Sequence, residues 1–472
     1  MSAVINYDYQ KHYLDHTHTT NDKNSTHLLL ATSNKDILMS KPITWMLLLS
    51  TNITDILHEV RTNPASYTDM IEHSRNLIAT HCPLSLLEDY ATLNQRMDEA
   101  NSKPDTQRLS VFYSKGTGLG DRLTFAATTF YTAMLSNRAF KMVWFFKGEM
   151  EMNINYDSPV SIFDGYESPW LNLPLNGNNT FTEQDTQQSS VPVHFNWFEK
   201  DSTNTKSVIQ YYRHANISST YRDKRMVHWN GNHGNIHLLM QNPNHEEWFK
   251  QNHLDKENVF GCAMQYLFQL TPAAFAMGDM AQLWTLFRRP EILKIGMHIR
   301  MGDKVLSSQE HPTSESVDRF LAPFVSCAQQ IESFHQRTNE TKRSPPLVMW
   351  YVTSDSEAVI SRMHNTYPER TVSLNVPEIS HISGGKDNKE GLQSAIQQHY
   401  LLGMQDYAII YDSTSFGRTG ALRQLRSGGK HMYDIKRGVY PGETPVKMSR
   451  RPQCGPKDYM KWEDYIDNWL GV

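Results

Sequence analysis

The sequence has little cysteine, little net charge and no long apolar run, and each shortage excludes something. Four cysteines in 472 residues, Cys82, Cys262, Cys327 and Cys454, stand far apart. None forms a CxxC pair, which argues against a zinc framework; disulfides are allowed, but nothing in the spacing pairs them. A formal net charge of -4 and a pI of about 6.6 remove the bulk electrostatic case for nucleic acid. The early apolar run over 45–49 falls far short of the roughly 18 residues that cross a bilayer, so no membrane span is expected. Residues 1–16 lack the basic start and apolar middle of a signal peptide. That leaves a cytosolic protein, or one whose targeting segment is missing from the sequence. Neither G-x-x-x-x-G-K-[ST] nor G-x-G-x-x-G occurs, so two common phosphate-binding fingerprints are absent.

What is present fits a globular chain of two to four domains, with 39% hydrophobic and 11% aromatic residues. Sequons at Asn24, Asn52, Asn178, Asn216 and Asn339 point weakly to a secretory compartment, in a chain where Asn, Ser and Thr are abundant. Residues 1–40 are polar and read as a disordered tail; His16 and His18 form an HxH pair with no carboxylate or cysteine cluster beside it. Residues 41–107 carry helical patterning, with a break expected near Cys82-Pro83. From residue 108 the pattern becomes strand, glycine-rich turn, helix, strand: a strand over 109–113, the turn 115–122, a helix over 123–135 and a strand over 139–146. Gly118, Gly120, Asp121 and Arg122 form the core of that turn, and tight strand-to-helix packing explains it as well as ligand binding does. Residues 148–258 read as irregular and aromatic. Tyr211, Tyr212, Tyr221, His228, Trp229 and His233 lie among Arg213, Arg222, Lys224 and Arg225. Such rings suit either the face of a sugar or the core of a loop-rich subdomain.

A boundary is expected at Arg288-Arg289-Pro290, dividing an N-terminal half (108–289) from a C-terminal half (290–450), with a last helix over 451–472. The second half alternates strand and helix, which predicts an open parallel sheet. In such sheets the ligand lies beyond the carboxyl ends of the strands. Three polar strand ends converge there. The first is Ile295-Gly296-Met297-His298-Ile299-Arg300-Met301-Gly302-Asp303-Lys304, in which His298 and Arg300 share one face of a strand. Arg300 offers a fork for two phosphate oxygens and Lys304 a mobile point charge. The second is Ser354-Asp355, whose carboxylate suits a base edge such as guanine. The third is Asp412-Ser413-Thr414-Ser415-Phe416-Gly417, which opens a helix whose amides favour phosphate. Together they read as a nucleotide site.

With these residues in view, the chain resembles the fucosyltransferases built of two Rossmann-like halves: the plant cell-wall type, the core α1,6 and nodulation-factor type, and the protein O-fucosyltransferases. Gly118-Leu119-Gly120-Asp121-Arg122 is similar to their G-L-G-[ND]-R segment. His298 to Lys304 is similar to their H-x-R-x-x-D-K segment, and Ser354-Asp355 and Asp412 to Gly417 to their last donor-binding segments. The resemblance covers about 108–435. It implies α/β halves facing a cleft, the GT-B architecture, and transfer of fucose from GDP-fucose to a glycan acceptor with inversion, without a metal or cofactor. It implies catalytic roles for Arg300, Lys304 and Asp303. Donor binding would fall to His298, Arg300, Gly302, Ser354, Asp355, Ser413, Thr414, Ser415, Phe416 and Gly417. The absence of any D-x-D pair agrees with a metal-independent reaction. The chain departs from the core α1,6 type at Met301, where that type has a second arginine, and offers no in-register carboxylate after Lys304, so the general base is open. Golgi residence is what the resemblance implies for eukaryotic relatives, cytosol for bacterial ones. Another nucleotide-sugar transferase and a silent nucleotide- or glycan-binding protein are the alternatives.

Overall fold

A computed structural model describes residues 53–99, 108–114, 118–143, 162–173, 193–194, 203–231, 234–301, 313–338, 347–375, 389–411, 414–425, 431–435, 453–455 and 458. The expected tail over 1–40 and nearly all of the expected helix over 451–472 lie outside the described residues. The fold is α/β, built on two parallel sheets.

The first sheet holds β1 (Leu109–Ser114), β2 (Ala139–Val143), β4 (Val193–His194) and β5 (Met226–Gly231), in the order β2-β1-β5-β4. The helix Leu119–Leu135 crosses from β1 to β2. Its residues are buried almost without exception, which explains the run Phe125-Ala126-Ala127-Thr128-Thr129-Phe130. The second sheet holds β7 (Ile292–Ile299), β8 (Leu347–Ser354), β9 (Thr371–Val372), β10 (Tyr407–Tyr411) and β11 (His431–Ile435), in the order β11-β10-β7-β8-β9. All its pairings are parallel. A short antiparallel pair, β3 (Tyr166–Glu167) with β6 (Gln269–Leu270), sits apart from both. In the second sheet the chain runs outward from β7 through β8 to β9, then returns to the other side of β7 with β10. The switch point therefore lies between β7 and β10, and doubly wound sheets open a crevice at such a point.

β7 is buried at all eight positions, as a central parallel strand must be. Its period of two divides its side chains cleanly. Leu293, Ile295, Met297 and Ile299, with Met301 just beyond, enter one core with the helices Ser314–Thr338 and Glu357–Thr366. Lys294, Gly296 and His298 take the other face, where Gly296 leaves room for Gln405. The second, larger core continues from that face into the N-terminal half through the helices Lys389–Leu402, Val259–Leu267 and Met280–Phe287.

The helical extension is part of the body. Its helices are Ile53–Thr62, Tyr67–His81 and Leu84–Glu99, and the break falls at Cys82-Pro83 as expected. Ser66 and Asp69 form a reciprocal capping box at the second. Tyr90 donates to Arg138 O at 2.8 Å, and Tyr266 donates to Leu87 O at 2.6 Å. The four cysteines pair: Cys82 with Cys262, and Cys327 with Cys454. The first disulfide ties the extension to the body; the second ties the chain near its end to the helix Ser314–Thr338.

Two expectations are corrected. Helix begins at Leu119, so Leu119 to Arg122 is its first turn rather than a free loop. Gly118 is the N-cap, in extended conformation at φ -60°, and Arg122 N donates to its carbonyl at 3.3 Å. The stretch 148–258 is also less irregular than it reads. It supplies β5, which pairs along the whole of β1, and the helix Thr203–His214. Tyr212 and Trp229 are 0% and 1% exposed, packed with Tyr211 and Tyr221. Among these aromatics the core reading holds for Tyr212 and Trp229. Each such ring contributes on the order of 2–3 kcal/mol by burial. His233 lies outside the described residues.

Candidate active site

The helix Ser415–Leu422 follows β10, and Thr414 is its N-cap, in extended conformation. The helix Leu119–Leu135 follows β1. The starts of these two helices touch. A Cβ on Gly120 would stand 2.3 Å from Ser415 C and 2.5 Å from Phe416 N. Backbone lies on backbone, which only glycine permits. The carboxyl edges of the two sheets therefore face each other across this contact, the arrangement expected of two facing Rossmann-like halves.

Arg300 leaves the end of β7 on the face that carries His298 and is partly exposed. His298 is 6% exposed. Its Nδ1 lies 2.9 Å from Thr414 Oγ1, and its ring packs on Phe416 with centroids 5.2 Å apart. A Cβ on Gly417 would meet His298 Nδ1 at 2.6 Å, so this glycine is what lets the imidazole reach the helix start. Burial, aided by the charge of Arg300, pushes the His298 pKa down to about 3. His298 is thus neutral at physiological pH and fixes the helix cap beside Arg300. Behind it, His399 places Nε2 2.9 Å from Thr419 Oγ1 and Nδ1 3.1 Å from the Tyr166 hydroxyl. Burial holds its pKa well below the ordinary value.

The end of β8 closes the other side. Met301 N donates to Asp355 Oδ1 at 2.6 Å, and Ser356 N donates to Ser354 Oγ at 3.1 Å. Asp355 therefore braces the chain directly after Arg300. Met301 is fully buried in the apolar core beneath the sheet. Its side chain lies on the face opposite His298 and Arg300 and does not reach the site.

Asp121 comes from the other half. It receives hydrogen bonds from the Ser415 hydroxyl and the Gly118 backbone, and it lies within the field of Arg300 and Arg122. Burial outweighs these and pushes its carboxyl up to about 6. Arg122 is fully buried.

Of the residues expected at the site, the structure brings together His298, Arg300, Ser354, Asp355, Thr414, Ser415, Phe416, Gly417, Gly118, Gly120 and Asp121, with Arg122 in the wall. Gly302, Asp303, Lys304 and Ser413 lie outside the described residues. No group of three or more His, Cys, Asp or Glu side chains able to hold a metal occurs among the described residues. No helix among them is long and apolar enough to cross a membrane. Nothing local in the sequence marks His399 or the link from Asp121 to Ser415. The first is a histidine inside an ordinary helical pattern, and the second joins residues almost 300 positions apart.

Fold and site together define an α/β protein of two facing Rossmann-like halves, whose helix starts meet beside Arg300 at the switch point of the second sheet. No family model matches the chain. In sequence it is similar to a curated Arabidopsis thaliana protein named "Probable fucosyltransferase 8", 25% identical over 338 residues, covering 64% of this chain and 60% of the relative. The chain thus spans about three fifths of the length of that relative. Among solved structures, it is similar to a mutant of Arabidopsis thaliana FUT1 in complex with GDP. There the identity is 17%, the TM-score 0.47, and the match covers 75% of this chain and 79% of that one. It is also similar to the NodZ alpha-1,6-fucosyltransferase soaked with GDP-fucose, at 14% identity and TM-score 0.41, covering 70% of this chain and 95% of that one.

Proposed function

We propose that this chain is a fucosyltransferase that takes GDP-fucose as donor and a glycan as acceptor. The observation that carries the reading is the convergence at the β7–β10 switch point. Arg300, the brace from Asp355 and a helix start capped through His298 meet the first turn of a helix from the other half. The curated relative's name, "Probable fucosyltransferase 8", supports the same reading.

In this reading the diphosphate lies against Arg300 and the amides at the start of Ser415–Leu422. The acceptor hydroxyl attacks the anomeric carbon from the opposite side, and the bond to the diphosphate breaks with inversion. Negative charge grows on the departing GDP, so fixed positive groups beside it lower the barrier. Arg300 is the central one; Lys304 and Asp303, which follow it in the sequence, would complete the set. These groups and a helix start supply the field without a metal or cofactor. Met301, turned into the core, adds no second cation.

The base is tested by competition. In a thermal-shift titration GDP raises Tm and UDP does not, because the Asp355 carboxylate would accept from the two adjacent donors of a guanine edge. Equal shifts would assign another sugar nucleotide. Transfer from GDP-fucose to a glycan panel then reads the acceptor; GDP binding with no turnover on any acceptor would favour a silent binding protein.

Residence in an oxidising secretory compartment is part of the proposal. Two disulfides between distant cysteines support it, as do the sequons. The cytosol is the alternative, and reduced cysteines in protein isolated from its native cells would favour it.

A further inference from the structure

The resemblance left the general base open, and Asp121 has the position for it. It stands in the first turn of Leu119–Leu135, where that helix touches the start of Ser415–Leu422. The Ser415 hydroxyl and the Gly118 backbone hold its carboxylate in place. The Arg300 guanidinium lies close enough to act on it. It remains partly exposed, whereas its neighbour Arg122 is fully buried. The nearby carboxylate on the other side, Asp355, is committed through Oδ1 to the Met301 amide at 2.6 Å. A donor held by Arg300 and the second helix start would therefore have Asp121 facing it from the opposite half, which is the acceptor side of a two-half transferase.

Resting on the transferase reading above, we propose that Asp121 is the general base that takes the proton from the attacking hydroxyl. As the acceptor oxygen bonds to the anomeric carbon, its proton passes to an Asp121 carboxylate oxygen. The bond from that carbon to the diphosphate oxygen breaks, and its electron pair leaves with GDP. No oxidant, reductant or further reactant is needed. Ser415 and Gly118 aim the carboxylate, and Arg300 serves both ends: it stabilises the leaving diphosphate and keeps the base from being protonated too readily.

Burial outweighs those charge and hydrogen-bond effects and places the Asp121 carboxyl at about 6, suited to accept a proton near neutrality. The charged and titratable groups around it are Arg122 on its own helix and Arg300 from β7, with His298 behind the second helix start and neutral. Lys115, Asp303 and Lys304 lie outside the described residues.

The test uses the full chain, GDP-fucose as donor and water as acceptor, reading GDP and fucose released between pH 4.5 and 9. Wild type should lose rate about tenfold per pH unit below an inflection near 6. Asp121→Asn, close to isosteric, should lower the rate by at least about 100-fold and abolish that inflection. Its GDP affinity by calorimetry should stay within about threefold, and Asp121→Glu should recover part of the rate together with an acid limb. Asp121→Asn that keeps both rate and inflection overturns the proposal. So does a variant that loses GDP affinity in parallel with rate, since Asp121 would then be a donor-binding group. Wild type that binds GDP but releases none from GDP-fucose also counts against it. Folded wild type that does not bind GDP at all overturns the transferase reading instead, and this inference falls with it.

Discussion

Removing the Cys82–Cys262 disulfide tests the integration of the helical extension into the fold. The perturbation is the double variant Cys82→Ala with Cys262→Ala, which leaves no lone thiol. The two cysteines are 180 residues apart. In the chain-entropy treatment, closing a loop of that length removes about 17–18 cal/mol/K from the unfolded chain, or about 5 kcal/mol at 25 °C. The folded state keeps its other ties: Tyr90 to Arg138 O, Tyr266 to Leu87 O, and the apolar faces of Ile56, Met70, Ile78 and Leu87. The cost therefore falls mainly on the unfolded side. Spread over a cooperative unit between one half and the whole chain, it lowers Tm by about 5–10 °C. The assay is scanning calorimetry of the variant beside wild type, with disulfide mapping by mass spectrometry under non-reducing conditions. Mapping should return Cys82 with Cys262 and Cys327 with Cys454. A variant with unchanged Tm, or a wild type carrying free thiols, would refute the reasoning.

Gly120→Ala should destabilise the chain by about 2–3 kcal/mol and weaken GDP binding, because its Cβ would stand 2.3 Å from the Ser415 backbone. Gly118→Ala is the control, with only Asp121 Oδ2 near at 3.5 Å; equal effects in melting and titration would contradict the close contact. His298→Ala should cost about 2–4 kcal/mol in denaturant unfolding, through the lost Thr414 bond and the cavity beside Phe416. His298 also sets a pH dependence. Its folded pKa, about 3, lies below the unfolded value, so its contribution is present above about 6.5 and is lost as pH falls toward 3. His73 and His228, both pushed down to about 4 by burial, act in the same direction. Stability should decline below pH 6.5 by up to about 1.4 kcal/mol per pH unit for each such group, and less steeply in His298→Ala. An unchanged slope in that variant would contradict the assignment.

The C-terminal half was legible because its apolar runs are short, separated and punctuated. The alternation of strand and helix expected there is what forms, as β7 to β11 with helices between them. The face shared by His298 and Arg300 followed from the period of two and holds. The misses have local causes. Helix Leu119–Leu135 begins inside the glycine motif because packing on Ser415, not propensity, selects glycine at residue 120. β5 was hidden because Met226-Val227-His228-Trp229 carries no alternation; it is buried on both faces between β1 and β4. The cysteine pairs close over separations of 180 and 127 residues, and nothing local encodes such a partner. Asp121 and Ser415 meet only after both halves have formed, so their contact could not be read in sequence order.

The central claim is that Arg300 and the helix start beside it hold the diphosphate of GDP. Calorimetric titration of GDP into wild type and Arg300→Ala, each with and without EDTA, tests it most directly. The account predicts binding on the order of micromolar in wild type, unchanged by EDTA. It predicts a loss of about 10- to 100-fold in Arg300→Ala, the worth of charge-assisted hydrogen bonds to phosphate. Folded wild type that does not bind, or Arg300→Ala that binds as tightly as wild type, would contradict it.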